Sequence, residues 1–269
     1  MKEQYEELYI EKDTEEEALR RLIDIVKVLR IECPWDKVQT HESLTTCMVE
    51  EAYEVVDAIK EDDSANLREE LGDVLLQVVF HGVLAENDGT FSITDVINEE
   101  CEKMIRRHPH IFLEDNVKSI DKVLEKWENV KSREHNDGMV VDRLQRVPKA
   151  LPALMRSLKV QSKASQVGFD WNNTEDVFEK IDEELLELKT AFNGGDKESI
   201  KEELGDLLFS VVNVSRHLEL NPEESLNEST AKFIKRFENL EKMSMEEGLE
   251  LESMSLEEMD KLWNKAKKI

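Results

Sequence analysis

Glu202-Glu203-Leu204-Gly205-Asp206, preceded by Glu183-Glu184-Leu185-Leu186-Glu187, is the stretch on which the fold turns. The same arrangement stands earlier in the chain, as Glu50-Glu51-Ala52-Tyr53-Glu54 and Glu69-Glu70-Leu71-Gly72-Asp73. Glu54 lies sixteen positions before Glu70, and Glu187 sixteen before Glu203. A pattern that returns at one internal spacing marks a duplicated unit. On a helix, positions i and i+3 share a face, so Glu184 pairs with Glu187 and Glu203 with Asp206.

The second acidic motif of each copy opens an apolar run. Leu207, Leu208, Phe209, Val211, Val212 and Val214 cover most of the circumference of one helix, which is expected to be largely buried. Glu203, Asp206, Ser210 and Asn213 fall on one stripe of it; Glu70, Asp73 and Gln77 form the equivalent stripe in the first copy. Carboxylates on a buried face are costly unless paired or bound to metal. Two facing helices with two carboxylates each make an all-oxygen cage, suited to Mg²⁺ or Mn²⁺ rather than Zn²⁺. An isolated EExxE in a chain with 62 acidic residues reads as a solvated helix face. The duplicated pairing with ExxD in an apolar helix is far more specific.

The net charge of −26 argues against non-specific nucleic-acid binding and against an anionic membrane surface. It leaves room for a polyphosphate substrate, because a divalent cation inverts the local field. Cys33, Cys47 and Cys101 form no CxxC pair, which fits a reduced, cytoplasmic protein. The longest mostly apolar run, Val74 to Ala85, is too short to span a bilayer, and the polar start is unlike a signal peptide.

No run alternates with period two, so an all-α chain is expected. The first residues look frayed. Thr14 opens a capping box before a helix to about Arg30. Helices follow from about Leu44 to Lys60 and, capped by Ser64, through the first ExxD motif. Another runs from about Thr94 to Arg107, and a further one holds Val123, Leu124 and Trp127. The polar stretch from Glu134 to Lys149 is the linker candidate. In the second copy Thr174 caps the EExxE helix, Asp196 the ExxD helix, Asn221 the next and Ser255 the last. The repeat extends to Lys103-Met104-Ile105-Arg106-Arg107 against Lys232-Phe233-Ile234-Lys235-Arg236, and to Trp127 against Trp263. Gly72 and Gly205 recur inside their helices, marking close helix approach or room beside the site, or mere packing tolerance. His108 and His110 read as a helix-ending turn around Pro109, and His81 as a packed residue. Neither a P-loop nor a Rossmann fingerprint is present.

With these motifs stand Cys33-Pro34-Trp35-Asp36, Arg106-Arg107-His108-Pro109-His110 and Val167-Gly168-Phe169-Asp170-Trp171. Together they resemble the MazG family, two-domain nucleoside triphosphate pyrophosphohydrolases of the all-α NTP pyrophosphatase superfamily. The resemblance runs from about Leu19 to Trp263 and implies two tandem MazG-type helical-bundle domains with carboxylate-lined metal sites. Their expected bounds are 1–135 and 150–269, with a linker at 136–149. It implies NTP + H₂O → NMP + pyrophosphate over a broad range of NTPs and dNTPs, Mg²⁺ dependence with Mn²⁺ as a substitute, a homodimer, and a housekeeping role in nucleotide pools.

The expected ligands are Glu184, Glu187, Glu203 and Asp206, with Glu51, Glu54, Glu70 and Asp73 in the first copy. Glu183, next to the cage, is a candidate water-positioning base or a group that supports the ligands from outside the cage. Lys232 and Arg236, four apart on one helix, either clamp phosphates or neutralise nearby Glu; Lys103 and Arg107 repeat them. Trp263 either stacks on a base or packs in the core; the resemblance makes it base-proximal. Both copies keep the acids, and the resemblance favours the C-terminal copy as catalytic, with the N-terminal one supporting dimerisation or binding a regulatory nucleotide. Two rivals stand: a narrower dUTP- or phosphoribosyl-ATP-type pyrophosphohydrolase, and a non-catalytic acidic helical interaction protein holding a structural cation.

Overall fold

The computed structural model describes residues 2–112, 119, 123 and 139–267. Among them every regular element is helical, and the chain divides into two compact units, Met1–Glu134 and His135–Ile269.

The first unit is built on α1 (Glu15–Glu32), α2 (Thr45–Lys60), α3 (Ser64–Asn87), α4 (Ile93–Arg107) and the short α5 (Pro109–Phe112). Thr14 caps α1 by accepting from the Glu17 amide, and Ser92 and Asp95 close a reciprocal capping box at α4. Asp63 rather than Ser64 caps α3, its carboxylate accepting from the Ala65 and Asn66 amides at 3.0 Å. A carboxylate at that end also meets the positive helix terminus, which favours it over a hydroxyl. The first residues are not frayed. They form a 3₁₀ turn, Glu3–Tyr9, pinned where Arg21 Nε donates to the Leu8 carbonyl at 2.8 Å.

The core of this unit sets Ile23 and Val26 of α1 against Val79, Phe80, Val83 and Leu84 of α3, closed by Leu44 and Ile93. Each such side chain contributes about 1.5–3 kcal/mol by leaving water. Gly82 lets α4 come close: a Cβ there would meet the Ile93 side chain at 3.1 Å. Gly72 and Gly205 differ, since a Cβ at either meets nothing within 4 Å. Of the readings open for them, close helix approach within a unit does not hold.

The second unit comprises α6 (Val140–Gln145), α7 (Ala153–Ser165), α8 (Thr174–Gly194), α9 (Lys197–His217), α10 (Pro222–Glu246) and α11 (Leu256–Ala266). Residues 140–145 of the expected linker form α6 here, and Val147 beyond it is buried. Asn173, one residue before Thr174, caps α8 by accepting from the Asp176 amide at 2.9 Å. Gly195, at φ +76°, ends that helix in the left-handed conformation that favours glycine. Asp196, Asn221 and Ser255 cap α9, α10 and α11 as expected. α8 and α9 form the tightest helical hairpin of the unit, as α2 and α3 do in the first.

One expectation fails on α9. Leu204, Leu208, Phe209 and Val211 are 43–50% exposed, and only Ser210, Val212 and Val214 are buried. The described helices of one unit cannot surround α9, so its apolar outer face stays open to solvent. The expected helix around Val123, Leu124 and Trp127 lies outside the described residues, apart from Val123 itself.

Candidate active site

The α8–α9 hairpin brings the second acidic constellation together. One carboxylate oxygen each of Glu184, Glu187 and Glu203 lies within 4.8 Å of the others, a spacing that a single cation can bridge. Glu184 is buried, Glu203 half-buried and Glu187 exposed. Asp206 faces the same cluster: loss of hydration, then the charges of Glu187, Glu184 and Asp206, push the Glu203 carboxyl above its usual range. Full burial of the acids, implied by the apolar pattern, therefore holds for Glu184 alone. The first unit repeats the arrangement with Glu51, Glu70 and Asp73 within 4.8 Å, all half-buried. Glu54 joins them, since its charge helps raise the carboxyls of Glu51 and Glu70 after desolvation.

The donor set fits a hard divalent cation: three clustered carboxylates in each cage with the charge of a fourth bearing on them, no sulfur or imidazole in the cluster, and mutual repulsion that a cation relieves. In the C-terminal cage part of that repulsion is met by Lys180. Its ammonium lies 2.7 Å from Glu184 Oε1 and 2.8 Å from Glu183 Oε1. Hydrogen bonds to these two acids hold Lys180 above the usual lysine range. Glu183 is thus exposed and ion-paired beside the cage rather than within it.

A cleft of about 620 Å³ adjoins this cage. Glu184, Asp206 and Lys180 form its acidic end; Phe169, Trp171 and Phe209 supply aromatic surface; Gln161, Ser210, Asn213 and Arg216 supply polar groups. Ligand pockets of this size combine apolar walls with a few placed polar groups. The Gly168-Phe169-Asp170-Trp171 loop is held by Asp170, whose carboxylate accepts from both terminal nitrogens of Arg216, at 2.8 Å for Nη1, and contacts His217 Nε2 at 3.0 Å. The Arg216 guanidinium, helped by His217, holds the Asp170 carboxyl down at about 2.

The remaining candidates sit on other helices. Lys232 is exposed and Arg236 half-buried on α10, and no ion pair joins either to a carboxylate among the described residues. Trp263 on α11 packs on Phe233, with ring centroids 5.0 Å apart, and does not line the cleft. Lys103 on α4 pairs with Glu100, and Arg107 closes the same helix. His108 ends α4 with its ring on the Met104 carbonyl, and neither it nor His110 joins a candidate metal cluster among the described residues. Lys180, Gln161 and Arg216 are not among the residues to which the sequence points, whereas Asn213 stands on the acidic stripe read from it. A signal existed for Lys180, which precedes Glu183 and Glu184 by three and four residues.

Two helical hairpins, each closing a carboxylate cage, define the class: an all-α, tandemly duplicated protein built around candidate cation sites. The model of the MazG nucleotide pyrophosphohydrolase domain matches the chain twice, over residues 39–112 and 172–241. The chain belongs to the MazG family. It is 45% identical over 248 residues to the nucleoside triphosphate pyrophosphohydrolase/pyrophosphatase MazG of Thermotoga maritima, covering 91% of this chain and 94% of that protein. It is 39% identical over 255 residues to the nucleoside triphosphate pyrophosphohydrolase of Escherichia coli K12, covering 92% and 96%. Bacillus subtilis YabN, an uncharacterized protein, is 48% identical over 236 residues, which cover 87% of this chain and 48% of YabN.

Proposed function

We propose that this protein hydrolyses nucleoside triphosphates to the monophosphate and pyrophosphate, at the C-terminal cage, with Mg²⁺ as its cation. The observation that carries this reading is the junction of the Glu184–Glu187–Glu203 cluster with a 620 Å³ cleft in one unit. Family membership supports it, as do the names of the relatives from Thermotoga maritima and Escherichia coli.

In the reaction, water attacks the α-phosphorus, the bond from that phosphorus to the α,β-bridging oxygen breaks, and pyrophosphate leaves. A bound Mg²⁺ supplies charge neutralisation for the phosphates and a lower pKa for water. Glu184, Glu187, Glu203 and Asp206 hold the cation. Glu183, exposed beside them, positions water or accepts its proton. Lys180 and the basic pair Lys232 and Arg236 offer charge to phosphate oxygens. The cleft takes the nucleoside. The N-terminal cage, Glu51, Glu54, Glu70 and Asp73, binds a cation without leading the chemistry, and its unit serves dimerisation or a regulatory nucleotide. The exposed apolar face of α9, with Phe233 and Ile234 of α10 more than half exposed, supports a homodimer that covers them. A broad base range, a housekeeping role and a division of the chain near residue 135 complete the reading. Among the described residues no helix is long and apolar enough to cross a membrane.

Product analysis tests it. A panel of NTPs and dNTPs is incubated with Mg²⁺ or with chelator, and the products are resolved. Monophosphate and pyrophosphate from many bases, only with metal, is the expected result. Turnover of dUTP alone selects the narrower enzyme, and metal-dependent folding without any turnover selects the interaction protein.

A further inference from the structure

The two cages carry the same acids but differ in what stands one turn before them. On α8, Lys180 precedes Glu184 by four residues, and its ammonium lies 2.7 Å from Glu184 Oε1 and 2.8 Å from Glu183 Oε1. On α2 the same place before Glu51 belongs to Cys47, which packs against the apolar core of the first unit. Among the described residues no ion pair reaches Glu51, Glu54, Glu70 or Asp73. Loss of hydration, then the charges of neighbouring acids, push the Glu51 and Glu70 carboxyls above their usual range. The N-terminal cage is therefore an assembled set of half-buried acids with its repulsion unrelieved.

The C-terminal cage has part of its charge already answered. Glu184 is its one buried acid, with 7% of the side chain exposed, and it is the acid that Lys180 meets. Glu203 across the hairpin still feels its acidic neighbours, so the relief is local to Glu184. A divalent cation that takes Glu184 as a ligand meets one of two costs. It displaces the ammonium and gives up an ion pair to a buried carboxylate, or it shares the carboxylate and sets like charges close together. Either cost lowers the affinity of this cage for a free cation and is not met at Cys47.

A polyphosphate alters that balance. Its oxygens attract the ammonium and the cation alike, so both can be held in one place without net repulsion. The Lys180 side chain is 32% exposed, so it can turn from Glu184 to a phosphate without first leaving a closed core.

We propose that Lys180 is an internal counter-ion that keeps free Mg²⁺ out of the C-terminal cage at concentrations that fill the N-terminal cage. The C-terminal cage then takes its cation together with the polyphosphate, a consequence that rests on the nucleotide reading above. The N-terminal cation is resident; the C-terminal one comes and goes with substrate.

Equilibrium dialysis of the full-length chain against Mn²⁺, an oxygen-seeking stand-in for Mg²⁺ that is counted directly, tests this without turnover. The wild type should fill one site per chain first and a second at least about tenfold more weakly. Glu70→Gln should lose the tighter site, and Glu203→Gln should keep it. Lys180→Met should bring the second site within about threefold of the first, since the like charge is gone. Two equal sites in the wild type, no bound Mn²⁺ at all, a tighter site that is lost in Glu203→Gln instead, or a second site that stays weak in a folded Lys180→Met overturns the proposal. The wild-type count and the two Gln variants leave Lys180 in place, so a misfolded Lys180→Met does not remove the test. With α,β-methylene ATP in both chambers, a further Mn²⁺ per chain should appear with the protein in the wild type and in Glu70→Gln, but not in Glu203→Gln. Turnover of ATP is scored separately. AMP and pyrophosphate with two equal sites leave the hydrolase standing and remove the counter-ion role of Lys180. Unequal sites without turnover or nucleotide binding keep that role and remove the nucleotide reading.

Discussion

Lys180 Nζ lies 2.7 Å from Glu184 Oε1, so an ammonium neutralises the one fully buried acid of the C-terminal cage. One turn of α8 supplies both groups. The same nitrogen also meets Glu183, which is exposed. Position 47, which matches Lys180 in the first copy, is Cys47, so no lysine stands at that place in the first copy. Removing the charge by Lys180→Met leaves Glu184 buried without a counter-ion. We expect the metal-free protein to lose about 1–3 kcal/mol, the penalty for stranding a buried polar group. Mg²⁺ should restore more of the melting temperature in the variant than it adds to the wild type. Thermal melts with and without Mg²⁺ decide this; equal Mg²⁺ gains in both proteins would mean that Lys180 and the cation do not share the cage.

The duplication allows a matched pair of substitutions. Glu203→Gln and Glu70→Gln remove the same ligand from the two cages, with the same change of charge and nearly the same volume. If chemistry runs at the C-terminal cage, Glu203→Gln should lower kcat/KM at least about a hundredfold, as expected when a cation that stabilises the transition state is lost. Glu70→Gln should leave it within about twofold, the range of a remote surface change. The reverse outcome would move the active centre to the first unit.

Much of this architecture was legible because it is local. Helix starts follow from caps within three residues, and the cage follows from i, i+3 pairs repeated at one interval. Where a cap was misplaced by one residue, at Asp63 and Asn173, the stronger acceptor stood next to a plausible hydroxyl. The cleft was not legible. Gln161 meets Phe209 across 48 residues, and Asp170 meets Arg216 across 46, and no periodicity encodes such pairs. Apart from its spacing to Glu183 and Glu184, Lys180 carries no signal of its own in the sequence, because a lysine on an acidic helix is usually solvated. The exposure of α9 was missed because apolar residues on several faces signal burial, but not whether the covering surface belongs to the same unit.

Asp170 ties the Phe169–Trp171 loop to α9, and its carboxyl is held at about 2 by Arg216. The unfolded chain titrates it near 3.9, so the folded state keeps it ionised to lower pH. Its stabilisation is complete above about pH 4 and is lost as pH falls towards 2. The contact is worth about 1–2 kcal/mol, allowing for partial exposure of the carboxylate. Asp170→Asn should lower stability by that amount at pH 7, and the difference from the wild type should shrink towards pH 2. Urea unfolding across that range checks it. A difference that does not change with pH would assign the loss to packing rather than to charge.

His41 and His81 stack in the first unit with ring planes 8° apart, and their Nδ1 atoms are 2.7 Å from each other. That contact requires one Nδ1 to carry a proton and the other to accept it. Two imidazolium rings could not make it and would repel. Burial, and then the charge of His41, hold the His81 ring below the usual histidine range. The sign follows from linkage. Above about pH 6.5 neither state of His81 takes a proton; below it the unfolded chain does so first, so stability falls as pH drops through 6.5 towards the lower folded value. Melts between pH 8 and pH 5.5 should show a flat region, then a decline. In His81→Phe, which keeps an aromatic ring on α3 but has no titrating group, the decline should be shallower. An unaltered pH slope in that variant would show that the pair does not set the acid sensitivity of the unit.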